Sequence, residues 1–281
     1  MRASAPTYIW RKLATREWVE ANEPQLETLT DGGFAVIERV GRKRLLVEVA
    51  CSRRTQATRL LDAFGGRSEK LSRDWLNELL RKRSTKPIRV GNRLVILSDE
   101  TEASADGLAP LVVPAGAAFG TGEHATTAMS LRILERVTRP LPKGWRMFDA
   151  GTGSGILALA GRHFGAGSVV AVENNPLALS TAKQNARLNR IRGVEFIEGD
   201  VAQHLGRGFD IITANLYSEL LISLLPKLRR ALAADGKLII SGVMRAQERD
   251  LLRTLKANKL ELLEIRRRGK WIALLANLSS S

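Results

Sequence analysis

The chain is expected to be an α/β protein in which a small α+β domain precedes a doubly wound, mostly parallel sheet. Three observations predict this. From Leu111 onward, short apolar runs alternate with helix-forming stretches, the order that builds a parallel sheet with helices on both faces. Before residue 76 the elements are shorter and run strand, helix, strand, strand, helix, strand, which is the ferredoxin-like order. With 281 residues and 44% apolar content, the chain can form an ordinary domain plus a small one. The expected boundaries are 1–75 for the ferredoxin-like domain, 76–110 for a linker and 111–281 for a Rossmann-like domain.

In the first domain, Tyr8 to Leu13 reads as a strand, and Glu17 to Leu29 as a helix with Trp18, Leu26 and Leu29 on one face, interrupted at Pro24. Phe34 to Val40 and Leu45 to Ala50 read as a hairpin with the basic tip Arg42-Lys43-Arg44. Thr55 to Phe64 is a second helix closed by Gly65-Gly66, and Ser68 to Leu71 a last strand. The connecting region holds a short basic helix opening at Asp74-Trp75-Leu76, extended chain from Ile88 to Leu97, and an acidic, small-residue loop from Ser98 to Gly107.

The second domain has strand patterns at Met147 to Asp149, Ser168 to Glu173, Val194 to Glu198, Phe209 to Ala214 and Lys237 to Ser241. Helical stretches near Ile156, Ala178, Glu219 and Ala246 separate them. Glu261 to Arg267 and Lys270 to Ala276, split by Gly269, read as a terminal hairpin on the sheet's edge.

Asp149-Ala150-Gly151-Thr152-Gly153-Ser154-Gly155 joins the first of these strands to its helix, which marks a nucleotide-cofactor loop. Gly151 and Gly153 let the backbone turn and approach a ligand, and Gly155 lets the new helix pack against its strand. A pyrophosphate fingerprint spaces its glycines Gly-x-Gly-x-x-Gly; here the third glycine comes one residue early, and Asp149 precedes the first by two. That acid would repel a pyrophosphate and suits a ligand bearing an ammonium group. Glu173 ends the next strand, 24 positions on, where a carboxylate can accept two hydrogen bonds from a ribose cis-diol. Asp200 follows the third strand, as an acceptor for an adenine amino group or as a simple turn acid. Asn215 ends the fourth at the edge where open α/β sheets bind ligands. The prolines of an Asn-Pro-Pro-aromatic clamp are missing after it, which argues against methylation of nucleic-acid bases.

Upstream, Ala118-Phe119-Gly120-Thr121-Gly122-Glu123-His124-Ala125-Thr126-Thr127 is a polar loop before a helix, with Thr126 or Thr127 as its cap. A lone histidine such as His124 is more often structural than catalytic. Cys51 is the single cysteine, which excludes an internal disulfide and a cysteine zinc site. No metal site is expected. Met1 to Trp10 lacks the apolar core of a signal peptide, and no apolar run reaches the roughly 20 residues of a membrane span. A cytoplasmic protein without membrane contact is expected. The net charge is +15, and residues 1–97 carry 20 Lys/Arg against 11 Asp/Glu. Arg53-Arg54, Arg81-Lys82-Arg83 and Arg266-Arg267-Arg268 add local clusters. They suit either contact with a ribonucleoprotein or ordinary solvated faces. With 5% aromatics and none interleaved among the basic clusters, stacking readout of bases is not expected.

Taken together, Ala118-Phe119-Gly120-Thr121-Gly122, His124, Thr126-Thr127, the Asp149 to Leu157 loop, Ala214-Asn215-Leu216 and Leu238 to Val243 resemble the PrmA family. The resemblance spans residues 110–281, and the block before the helix is more specific than the glycine loop. It implies a class I methyltransferase domain that uses S-adenosylmethionine, behind a ferredoxin-like substrate-recognition domain. The implied substrate is the large-subunit stalk-base ribosomal protein, free or on the particle. Implied cofactor contacts fall on Thr127, Gly151, Glu173 and Asn215. Thr152 stands where the family commonly has Cys, and Glu173-Asn174-Asn175-Pro176 replaces Asp-x-Asp-Pro, so the second acid is lost.

The expected reaction is methyl transfer to a lysine ε-amine or an N-terminal α-amine, with Asn215 orienting the amine and His124 a candidate proton relay. The basic first domain is expected to meet rRNA, and a monomer is expected. Alternatives are a related protein-lysine or RNA methyltransferase, and a ribosome-associated binding module with a vestigial cofactor site. Asp149, the three glycines and Glu173 argue against the vestigial site.

Overall fold

The computed structural model describes residues 8–30, 33–38, 44–71, 87–99, 107–114, 122 and 124–279. The chain divides into two compact units, Met1–Lys82 and Arg83–Ser281. Outside the described residues lie Arg42-Lys43, Asp74-Trp75-Leu76, Arg81-Lys82-Arg83, residues 100–106, and Ala118 to Thr121 with Glu123.

The first unit contains β1 (Tyr8–Ala14), α1 (Arg16–Thr30), β2 (Phe34–Ile37), β3 (Leu45–Cys51), α2 (Arg54–Phe64) and β4 (Arg67–Lys70). Its sheet has the order β2-β3-β1-β4 with every pairing antiparallel, the ferredoxin-like arrangement. Val47, Val49 and Cys51 alternate on one face of β3 and are buried with Trp10 against Leu26 of α1 and Leu60 of α2. The buried indole Nε1 of Trp10 donates to Gly65 O at 2.8 Å, so the ring brings no unpaired donor into the core. Pro24 does not interrupt α1, which continues through it to Thr30. Pro24 and Glu20 are both exposed, so water takes the place of the lost helical hydrogen bond while Val19 and Leu26 keep the helix seated.

In the second unit, β5 (Ile88–Val90), β6 (Leu94–Leu97) and β7 (Ala109–Val112) form a three-stranded sheet. Leu94 and Ile96 belong to the large core, whereas Val95 and Leu97 pack with Leu108 and Val112. Residues 88–97 therefore belong to this unit's packing instead of connecting the domains loosely, because alternate apolar side chains fill both faces of β6.

The main sheet is built from β8 (Arg146–Ala150), β9 (Ser168–Glu173), β10 (Val194–Glu198), β11 (Phe209–Asn215), β12 (Leu232–Met244), β13 (Leu260–Arg268) and β14 (Trp271–Leu278). Its order is β10-β9-β8-β11-β12-β14-β13. The pairings among β10, β9, β8, β11 and β12 are parallel, and β14 runs antiparallel to both neighbours. The helices are α3 (Ala125–Val137), α4 (Ile156–His163), α5 (Pro176–Leu188), α6 (Val201–His204), α7 (Ser218–Ala231) and α8 (Glu248–Ala257). Alternate strand residues feed two cores. Met147, Ala171, Ile211 and Leu275 face α3 and α4, and Phe148, Val172, Ile212 and Leu274 face α7 and α8.

The terminal hairpin enters the sheet through β14, leaving β13 on the edge. Composition explains the order. Ile272 to Ala276 is a continuous apolar run, buried throughout, whereas β13 carries Glu261, Glu264 and Arg266 to Arg268, charges that suit an edge. Among the described residues no helix is long and apolar enough to cross a membrane.

Candidate cofactor and active site

Strand order reverses between the parallel neighbours β8 and β11: the chain continues from β8 to β9 on one side and from β11 to β12 on the other. Ligands of open α/β sheets bind at the carboxyl ends of the strands at such a point. The loop after β8 is drawn onto β9: the N–H groups of Gly151 and Thr152 both donate to Val172 O, at 2.9 and 3.0 Å. Gly151 has φ +67°, a left-handed backbone that favours glycine, and a Cβ there would stand 2.3 Å from Leu216 Cδ2 and displace that side chain's tip. At Gly155, φ +83°, a Cβ would meet Ala182 Cβ at 3.0 Å. The third glycine thus allows helix α4 to pack on helix α5, where the sequence pattern expects contact with a strand.

Asp149 sits beneath this loop, 1% exposed. Thr152 Oγ1 donates to its Oδ2 at 2.6 Å and Thr213 Oγ1 to its Oδ1 at 2.5 Å. Burial pushes the carboxyl up to about 6, opposed by the two threonine hydrogen bonds and one from the Ala158 backbone, with Glu173 adding to the rise. The acid expected to meet a ligand's ammonium group therefore has both oxygens engaged by hydroxyls, and it ties β8, β11 and the glycine loop together.

Glu173 closes the loop from the other side. Its Oε2 accepts from Gly153 N at 3.0 Å and its Oε1 from Asn175 N at 3.0 Å. A carboxylate has about four acceptor positions, so two remain for a cis-diol. Asn175, standing where the family pattern has its second acid, caps α5 by accepting from Leu177 N at 2.9 Å and Ala178 N at 3.3 Å. The oxygen needed for capping survives the change from acid to amide. Asp200 caps α6, accepting from Ala202 N at 2.8 Å, two positions beyond the Glu198–Glu173 register pair.

On the opposite side of β8, Asn215 ends β11, and its Nδ2 donates to Thr127 Oγ1 at 3.4 Å. Its Oδ1 is buried without a hydrogen-bond partner among the described residues, an acceptor that awaits a donor. Thr126 and Thr127 do not cap α3. His124 is the N-cap residue, and the two threonines are buried inside the first turn. His124 Nδ1 lies 2.7 Å from Thr126 Oγ1, and its ring meets Trp271 edge-on with centroids 5.0 Å apart. Burial lowers the His124 pKa first, and the charge of Lys270 lowers it further, so the imidazole is neutral near pH 7.

The residues expected from the sequence form two subsets around β8. Asp149, Gly151, Gly153 and Glu173 are linked through the loop; Thr127 and Asn215 form a pair, with His124 opening the same helix. Thr213 was not anticipated, although it lies in register with Asp149: a buried acid requires donors, and Thr213 is the one hydroxyl in Ile211 to Ala214. Leu216 and Gly242 are likewise added, since a Cβ on Gly242 would fall 2.3 Å from Leu216 O.

Residues 44–279 match the family model described as ribosomal protein L11 methyltransferase (PrmA). The chain belongs to the PrmA family. It is 37% identical over 209 residues to the ribosomal protein L11 methyltransferase of Pelotomaculum thermopropionicum, covering 74% of this chain and 66% of that protein. With the protein of the same name from Pelobacter propionicus it shares 37% identity over 207 residues, 72% of this chain and 66% of the relative. The chain thus spans just under two thirds of these relatives' length. A crystal structure of ribosomal protein L11 methylase from Lactobacillus delbrueckii subsp. bulgaricus superposes with a TM-score of 0.63 at 30% identity, over 69% of this chain and 99% of that one.

Proposed function

We propose that this PrmA-family chain transfers a methyl group from S-adenosylmethionine to amine groups of ribosomal protein L11, either lysine ε-amines or the N-terminal α-amine. The observation that carries the reading is the pairing of the Glu173-closed glycine loop with the unpartnered Asn215 Oδ1 on either side of the β8–β11 border. The residues fit the cofactor on two counts: Glu173 keeps acceptor capacity for a ribose diol, and Asn215 Oδ1 is a buried acceptor without a partner among the described residues. Asp149 supplies a buried negative charge beneath a ligand that carries positive charge.

When bound, S-adenosylmethionine supplies an electrophilic methyl group with a neutral thioether as its leaving group. The protein's task is then mostly positioning. The Asn215 carboxamide oxygen accepts a hydrogen bond from the incoming amine and aims its lone pair, while Thr127 holds the amide from behind. A lysine must first lose its proton, since its ordinary pKa is about 10.4; desolvation in the site favours the neutral amine. Neutral His124 accepts that proton. Asp200 receives the adenine amino group on its remaining oxygen.

Residues 1–75 recognise the ribosomal protein in this reading. The basic surface of that domain meets rRNA when the substrate is on the particle. The enzyme is a monomer and works in the cytoplasm. Mass spectrometry of ribosomal proteins from cells with and without the gene tests the assignment: L11 lacking methyl groups only in the deletion strain supports it, and unchanged L11 refutes it.

A further inference from the structure

The second unit carries a concave basic site away from the glycine loop. A cavity of about 380 Å³ is lined by Arg89, Arg132, Glu135, Arg136, Arg139 and Arg266, with Gly91 at its edge. Five of these are arginines and one is an acid. Arg132 and Arg136 lie 4 residues apart on α3, so one helical face presents both, and Arg139 follows just past its C-cap Thr138. Arg266 comes from β13 and Arg89 from β5.

The acid at the floor organises the cations. Glu135 is 2% exposed; Arg139 Nε and Nη2 donate to it at 3.1 and 2.9 Å, and Arg93 Nε at 3.1 Å. Burial pushes its carboxyl up, but the hydrogen bonds and charges of Arg139 and Arg93 outweigh burial and hold it below the usual range. The turn at Gly91 lies directly over this carboxylate, where a Cβ would stand 2.4 Å from Oε2. Glu264 bridges Arg136 and Arg266 from the strand side. Arg132 forms no ion pair among the described residues. Arg93, Arg132, Arg136, Arg139 and Arg266 thus share two carboxylates, Glu135 and Glu264, leaving three positive charges in excess around one small cavity.

We propose that this cavity binds the phosphodiester backbone of RNA without reading its sequence. Guanidinium forks match phosphate oxygens bidentately and keep their charge at every physiological pH. The lining contains no Phe, Tyr or Trp, so it offers no aromatic platform for a base, and its guanidiniums are matched to phosphates. A polyanion is the matching partner for three clustered excess charges on a chain of net +15. None of its lining residues belongs to the Arg42-Lys43-Arg44, Arg53-Arg54 or Arg81-Lys82-Arg83 clusters, and the inference does not depend on methyl transfer. One helix contributes to both sites: the first turn of α3 carries Thr127 and its later turns carry Arg132 and Arg136.

The test titrates the full chain against a short labelled single-stranded RNA of mixed sequence over a salt series, without cofactor. R132Q/R266Q should weaken binding about tenfold or more near 0.1 M salt and flatten the plot of log affinity against log salt by about one to two, since each lost phosphate contact releases fewer counterions. Arg132→Gln alone, at an exposed position, should give roughly half of that slope change. Both variants should keep the parent melting temperature and cofactor affinity. Parental affinity and slope in both variants would overturn the proposal. Displacement of RNA by poly-glutamate as readily as by polyphosphate would also overturn it, because the site would then respond to charge without phosphate. Calorimetric binding of pyrophosphate that is lost in the variants while RNA binding is retained would assign the cavity to a small phosphate ligand and refute the RNA partner.

Discussion

Asp149 shows how one buried acid couples stability to ligand binding. Its folded pKa of about 6 lies above the ordinary 3.8, so the folded state holds a proton between those values that the unfolded chain has lost. Its contribution to stability is greatest below pH 3.8 and is lost as pH rises through about 6, a difference of roughly 3 kcal/mol at 1.36 kcal/mol per pKa unit. Asp149→Asn should therefore melt higher than the parent at pH 8, with the gap closing as pH falls toward 4. A cationic ligand favours the ionised form, so affinity for S-adenosylmethionine should fall in the parent as pH drops through 6 and stay flat in the variant. Calorimetric titrations at pH 5 and 8 check the binding half, and unequal slopes in the parent alone are the expected result. At Glu173, Ala should cost about 1.5–3 kcal/mol of cofactor affinity. Gly151→Val should abolish binding, because the new side chain enters the space of Leu216 and must adopt a left-handed backbone. The glycines and Glu173 were legible in the sequence because their spacing is a backbone requirement. Thr213 was not, since a hydroxyl in a strand looks like any β-branched residue until register sets it opposite Asp149.

At the scale of elements, composition within each run decided where the fold could be read. The strands β8, β9 and β11 are apolar runs that end in polar site residues, and that combination places both strand and site. The first turn of α3 was harder: Thr126 and Thr127 have the chemistry of caps but are buried in the helix, because the turn must also pack against β12 and β14, as the bond from Ser241 Oγ to Thr126 O at 3.4 Å shows. Pro24 misled in the opposite sense, since an exposed proline leaves its helix intact when the apolar face stays packed. The terminal hairpin offers a direct test of how its two strands differ. Leu274→Asp places a charge in a fully buried strand and should unfold the protein or cost several kcal/mol. Leu263→Asp, at a position 44% exposed on the edge strand, should change stability by about 0.5 kcal/mol or less. Urea unfolding of the two variants measures the contrast; equal losses would contradict the assignment of β14 as interior and β13 as edge.

At the scale of the whole molecule, separate cores make separate functions testable. The core of Trp10, Leu26, Val49 and Leu60 draws only on the first unit, and the two large sheet cores draw only on the second. Every residue assigned to the cofactor site, from His124 to Asn215, lies in the second unit. Residues 88–97 also belong there, since Leu94 and Ile96 complete its core; a cut inside that strand would expose them. A truncated chain starting at Pro87 keeps β5 and β6 whole and removes the entire ferredoxin-like unit. It should fold, bind S-adenosylmethionine with the affinity of the full chain, and fail to methylate L11. The two readouts separate the contributions: calorimetry reports the cofactor site, and methyl incorporation into purified L11 reports recognition. Lost cofactor affinity together with lost activity would mean that the first unit supports the site itself. Full activity with intact affinity would move substrate recognition into the second unit, and the ferredoxin-like domain would then need another partner to explain it.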